Sequence, residues 1–230
     1  MKRVLATSRL HLIGWRSSLG WPWAILGISF VVNLAVFASI GDIPDGAITG
    51  GVSSIYIVVL IVWGGAITQV FPFAMALSVT RREFYLATTL VVVAESLGFG
   101  LVLFLCKLLE DATGGWGISL RFFAPGFVAQ DNPVTQVLVY AVPMLAMSFA
   151  GIFCAVVFKR WGLNGVFTLM VAAAVLAGGA VALITRRGWW GAVGHWLVEQ
   201  PAVSLVAGWP ALLAVVLAAA GFLAIRRATP

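Results

Sequence analysis

Long apolar runs recur along this chain, separated by short segments that carry the charge, and that pattern limits the fold more than any other feature. Runs of this length suit membrane-crossing helices, because a bilayer core of about 30 Å needs roughly 20 apolar residues in helical form. Backbone N–H and C=O groups in lipid must be paired within the segment, which a helix does by itself. Of the 230 residues 62% are hydrophobic and 10% charged. Soluble domains carry about a quarter charged residues, and one soluble core would not hide this much apolar surface. The expected fold is therefore an all-α integral membrane protein, one domain over 1–230, with no separate soluble catalytic domain.

Six spans are expected, over about 22–40, 52–77, 85–108, 134–158, 163–184 and 209–225. Pro22 falls near the start of the first, where a missing N–H is tolerated. The second holds Gly64, Gly65 and Pro72, so a kink is expected in its last third. Pro143 lies inside the fourth, and Lys159 with Arg160 forms the next tight turn. The fifth is rich in Ala and Gly, which favours close helix packing. Residues 109–133 are too polar to span, and Trp116, Phe122, Phe123 and Phe127 suit an interface-hugging loop. Residues 185–208 are apolar but broken by Gly188, Gly191, Gly194 and Pro201. No uninterrupted stretch there is long enough to cross, so a pair of short helices dipping into the membrane is expected. Ahead of the spans, residues 2–19 place Val4, Ser8, Leu12, Trp15 and Leu19 on one stripe, with Lys2, Arg9 and Arg16 on a flank. That is the pattern of an interfacial amphipathic helix, or more plainly of a basic tail that sets orientation. Arg9, His11 and Arg16 interrupt what would be the apolar region of a cleaved signal peptide.

The formal charge is +6. Its distribution matters more than its sum, and nucleic acid is not the expected partner. With the N-terminus inside, Lys2, Arg3, Arg9, Arg16, Arg81, Arg82, Lys159, Arg160, Arg226 and Arg227 are cytoplasmic, and Lys107, Arg121, Arg186 and Arg187 are external. Asp42, Asp45, Glu110, Asp111, Asp131 and Glu199 fall outside and only Glu83 inside. The positive-inside rule then puts both termini in the cytoplasm of a multi-pass protein of the cell membrane. Cys106 and Cys154 fall near opposite faces and read as small buried hydrophobes rather than as a disulfide.

Enzyme signatures are absent from the sequence. It has no phosphate-binding G-x-x-x-x-G-K-[ST] loop, no H-E-x-x-H and no nucleophile elbow. Nor do its Cys and His residues have metal-ligand spacing; His11 and His195 fall on opposite sides. No cofactor is expected on this chain. Glu95 is the one ionisable residue near a bilayer midplane, where a charge costs about 2.5–3.5 kcal/mol on insertion scales. It reads either as a group contacting substrate or proton in a pathway, or as a carboxyl bridging helices, with Ser96 or Thr68 as partner. Asn33 in the first span reads as an interhelical hydrogen-bonding residue.

The sharpest local pattern is Leu77-Ser78-Val79-Thr80-Arg81-Arg82-Glu83-Phe84-Tyr85. Thr80 with Glu83 three residues on fits a capping box at the start of a short helix. Arg81 and Arg82 are placed to reach phosphates or acidic partner residues, and Phe84 and Tyr85 to anchor the segment at the interface. The plainer reading is a positive-inside loop, which explains the arginines but not the cap or the aromatic pair.

This stretch resembles the connection between the second and third helices of ABC-2-type transporter permeases, the transmembrane subunits of type V-like ABC exporters. Members often show a small residue, Ser/Thr-Arg-Arg and an aromatic pair here. The resemblance is specific over about residues 77–88. The remaining likeness is one of layout: a basic amphipathic N-terminal helix, six spans, cytoplasmic termini and a broken apolar hairpin similar to the family's re-entrant external helices. A glycine is expected where Ser78 stands, which puts the local backbone in question. The resemblance implies a permease that pairs with a separate ATPase chain, which would bind the ATP and magnesium. It makes Thr80–Tyr85 the coupling helix docking in that ATPase. It also implies a second permease subunit, identical or a paralogue, and a pathway formed chiefly by the first, second and fifth helices. A proton-linked secondary transporter or channel using Glu95 is the alternative. Apolar, aromatic-rich outer loops are compatible with a hydrophobic or lipid-like substrate.

Overall fold

Hydropathy divides the chain as expected, and helix formation follows it. The computed structural model describes residues 7–8, 15–40, 47–126 and 128–226. The helices are α1 (Trp15–Ile40), α2 (Ser53–Ala76), α3 (Arg81–Ala112), α4 (Pro133–Arg187), α5 (Trp190–Glu199) and α6 (Trp209–Ile225). Two short strands, β1 (Ala47–Ile48) and β2 (Leu120–Arg121), pair in parallel with Ala47 opposite Leu120. This two-residue bridge is an addition to the all-α expectation. Five helices among the described residues are long and apolar enough to cross a membrane. That fits a membrane protein.

Most of the expected interfacial helix over 2–19, with Asp42, Asp45, Phe127 and Arg227, lies outside the described residues. Residues 15–19 of it are helical, but they open α1 and run on into the first span without a break. Pro22 consequently stands inside α1 and not at its start.

The packed body consists of α2, α3, α6 and the first part of α4. Small residues set how closely these helices approach. A Cβ on Gly151 of α4 would sit 2.1 Å from the Leu60 carbonyl of α2. One on Gly100 of α3 would sit 2.9 Å from the Ala141 methyl. Close backbone contact of this kind substitutes for the hydrophobic drive that lipid removes.

The 55 residues of α4 would measure about 80 Å as one straight helix, far beyond a bilayer. The helix is broken at Gly162, where φ is 68° and ψ −161°. Only glycine adopts that backbone freely. Lys159 and Arg160, expected as the turn, are still helical, and the reversal is carried by Gly162 alone. The residues before the break pack into the body, whereas those from 163 to 187 are mostly exposed and apolar. Gly188, left-handed at φ 65°, ends α4.

The broken stretch 185–208 also departs from expectation. Only its first arm, α5, is a separate short helix, and no residue of it is buried. The second arm merges with the last span through a wide π-turn over Ser204–Gly208. Pro210 lacks the N–H that would bond four residues back, and a widened turn just before it absorbs that loss.

Candidate functional site

The turn between α2 and α3 is built from two caps placed end to end. The Ser78 N–H donates to the Met75 carbonyl at 3.0 Å and the Val79 N–H to the Ala74 carbonyl at 3.2 Å. This is the Schellman closure of a helix, and it puts Ser78 in the left-handed region at φ 58°. The backbone is thus the one that glycine favours, carried here by serine. Thr80 then opens α3. Its Oγ1 accepts from the Glu83 N–H at 3.2 Å, and its own N–H donates to Glu83 Oε2 at 3.2 Å. The expected capping box is present, at the start of the 32-residue α3 and not of a short separate helix.

The aromatic pair lies in the core. Phe84 is 0% exposed and packs on Phe71 of α2 with ring centres 5.4 Å apart. Tyr85 donates its hydroxyl proton to the Ala218 carbonyl of α6 at 2.7 Å and lies against Phe222. Their role as interfacial anchors is therefore corrected: α3 places them on its inner face, where they fasten the turn to α2 and α6. Arg81 is partly buried and donates from Nη1 to the Arg226 carbonyl at the end of α6, 3.3 Å away. Arg82 is exposed. The exposed residues of this segment are therefore Leu77, Ser78, Thr80 and Arg82, set on an elbow tied to α6 through Arg81 and Tyr85.

Glu95 is midway along α3, remote from that elbow. Trp63 of α2, only 2% exposed, is the side chain whose indole lies near its carboxylate. Glu95 Oε1 is shielded and has no hydrogen-bond partner among the described residues. Neither expected partner engages it. The Thr68 hydroxyl donates to the Gly65 carbonyl of its own helix, and the Ser96 hydroxyl is buried without a partner among the described residues.

Asn33 fixes a loop. Its Nδ2 donates to the Ser29 carbonyl at 2.8 Å, and its Oδ1 accepts from the Thr49 hydroxyl at 2.7 Å. Ser29 Oγ reaches the Gly51 carbonyl at 3.2 Å. The 47–51 segment thus folds back along α1, and Asn33 joins a helix to a loop instead of two helices.

The most elaborate polar site was not among the expected ones. Glu110, read from sequence as a charge in an outer loop, is 1% exposed. Its Oε2 accepts from the backbone N–H groups of Phe122 and Phe123 at 2.8 and 2.9 Å and from the Trp116 indole at 3.1 Å. Its Oε1 accepts from the Ala124 N–H at 3.2 Å. The folded loop brings Trp116, Phe122 and Phe123 around Phe30 of α1. Tyr140 donates to the Phe123 carbonyl at 2.8 Å and completes the knot. A sequence signal existed: the acid pair Glu110-Asp111 followed by a Gly-Gly-Trp turn and a Phe-Phe pair. Spacing alone does not show that the loop doubles back on the acid.

No protein-family model, curated protein or solved structure matches this chain. What it does must therefore be argued from these sites.

Proposed function

We propose that this chain is the membrane-spanning permease subunit of an ATP-driven exporter of the ABC-2 type, paired with a separate ATPase chain. The observation that carries the reading is the 77–85 elbow. A device that receives a push from a soluble partner must be exposed at its tip and stiff behind it. The back-to-back caps supply the stiffness, Arg82 and Leu77 the exposed tip, and Tyr85 and Arg81 the links to α6. A push on this turn would move α2, α3 and α6 together.

Six spans follow if α4 counts as two, divided at Gly162. The basic residues at the Arg81 end then face the cytoplasm together with both termini, and the Glu110 knot faces outward. On this reading α5 and the turn after Pro201 form the re-entrant outer hairpin. The bare apolar stretch 163–187 and the weakly covered α1 suit a second permease copy, which would line the route with them. The test is capture of an ATPase chain from native membranes. Arg82→Ala should abolish stimulation of that ATPase and leave thermal stability unchanged, because Arg82 is exposed and the links to α6 are made by Arg81 and Tyr85. A chain that purifies alone and never binds an ATPase sinks the proposal.

One observation favours a second reading, a proton-linked transporter. Glu95 keeps an oxygen that is shielded and unbonded, as a proton-exchanging group in a pathway would. Proton-gradient-dependent transport by the isolated chain, lost in Glu95→Gln, would select it over the first.

A further inference from the structure

We infer that the chain holds an anionic phospholipid in the leaflet at its Arg81 end, with the headgroup phosphate between Arg160 and Arg226 and an acyl chain in the wedge between the two parts of α4. The inference needs the chain to lie in a membrane but does not need an ATPase partner.

Two clefts meet there. The first, of about 720 Å³, lies where the end of α6 approaches α4, and is lined by Arg160, Trp161, Leu223 and Arg226 among others. The second, of about 540 Å³, opens between the parts of α4 on either side of Gly162, with Val157 on one wall and Leu169 and Ala172 on the other. Phe153 and Trp161 line both, so the two clefts share a wall and form one site with two compartments.

The compartments differ in chemistry. Two guanidiniums converge on the first from residues 66 positions apart in sequence. Arg160 lies over the Trp161 ring at 4.1 Å and Arg226 over the Phe222 ring at 5.9 Å. Among the described residues no carboxylate is within ion-pair distance of either. Two guanidiniums lining one cleft without an anion call for one, and guanidinium geometry matches phosphate. The second compartment is walled almost wholly by aliphatic and aromatic groups, with Asn164 and Thr168 as its polar exceptions.

Their arrangement selects the ligand. Ala172 lies ten residues from Gly162, about 15 Å along a helix. That is half of a hydrocarbon core of about 30 Å, the depth of one leaflet. The cationic compartment thus lies at headgroup level and the apolar one runs inward from it. A free phosphate would fill only the first, and a zwitterionic phospholipid would bring an ammonium group beside the two arginines along with its phosphate. Basic pockets between spanning helices are known to take anionic headgroups.

Native mass spectrometry of the full chain in mild detergent, titrated with phosphatidylglycerol or phosphatidylcholine, tests this. One phosphatidylglycerol should be retained per chain, at least tenfold more tightly than phosphatidylcholine. An Arg160→Gln/Arg226→Gln double variant should lose that preference, and a double lysine variant should keep most of it. Ala172→Trp, at an exposed position inside the wedge, should weaken lipid retention with both arginines in place, and it carries the test alone if the glutamine variant does not fold. Equal retention of the two lipids, or an unaltered preference without the arginines, overturns the proposal. So does displacement of phosphatidylglycerol by equimolar inorganic phosphate combined with indifference to Ala172→Trp, which would assign the arginines to free phosphate. Any of these failures leaves the capture of an ATPase unaffected, so the two proposals fail separately.

Discussion

Two glutamates on α3 meet opposite treatment. Glu110, near the end of the helix, is enclosed by four N–H donors within 3.2 Å. Glu95, in mid-span, has the Trp63 indole and an oxygen with no partner among the described residues. A carboxylate accepting several backbone N–H groups is held as a structural hub, because each of those donors would otherwise be buried unpaired. A carboxyl left partly unsatisfied inside a bundle contributes little to stability, and its presence needs another reason. The same residue type on the same helix therefore serves architecture in one place and is open to function in the other. The elbow at 77–85 falls between them, since its backbone is capped at both ends of the turn while Arg82 is exposed.

The largest expected effect comes from removing the hub. Glu110→Ala strands four donors and should destabilise by about 3–5 kcal/mol, seen as a large drop in the unfolding midpoint in detergent. Retention of the wild-type midpoint would erase the distinction between the two acids. Trp116→Phe removes one donor and leaves the ring, so a loss of about 1.5 kcal/mol should follow in the same assay. Ser78→Gly acts in the other direction. Relieving a left-handed serine should raise stability by about 1 kcal/mol, and a fall would mean that the side chain contributes something its backbone geometry does not reveal. Glu95→Leu should change least, staying within about 1 kcal/mol of wild type or gaining, because a buried acid with few partners is readily replaced by an apolar side chain. A loss as great as that of Glu110→Ala would make Glu95 a second hub and remove the basis for any pathway role.

Much of the fold is legible in the sequence because the controlling forces are local. Hydropathy over some twenty residues located α2 to within a residue and α6 without error, and the Thr80–Glu83 cap needed only one helical turn to be recognised. Gly162 falls in the short gap expected between the fourth and fifth apolar runs, although the turn was placed on Lys159 and Arg160. The merging of 202–208 with α6 was missed because the break at Pro201 marks where one helix ends but not that the next runs on into the last span. The aromatic pair Phe84–Tyr85 was placed at an interface since sequence marks its amphipathic chemistry, but not which face of α3 meets α2 and α6.

What the sequence determined by itself, then, is a set of membrane-length helices, their approximate limits and the local caps. The tertiary structure alone decided which polar groups meet. Glu110 finds its backbone donors 12 to 14 residues further on because the loop turns back and β1 pairs with β2. Arg160 and Arg226 face one cleft because α6 returns to the same end as the first part of α4. Helix formation is governed by neighbours a few residues away, whereas the partner of a buried charge depends on where distant segments are brought by packing. No spacing rule within the chain carries that information.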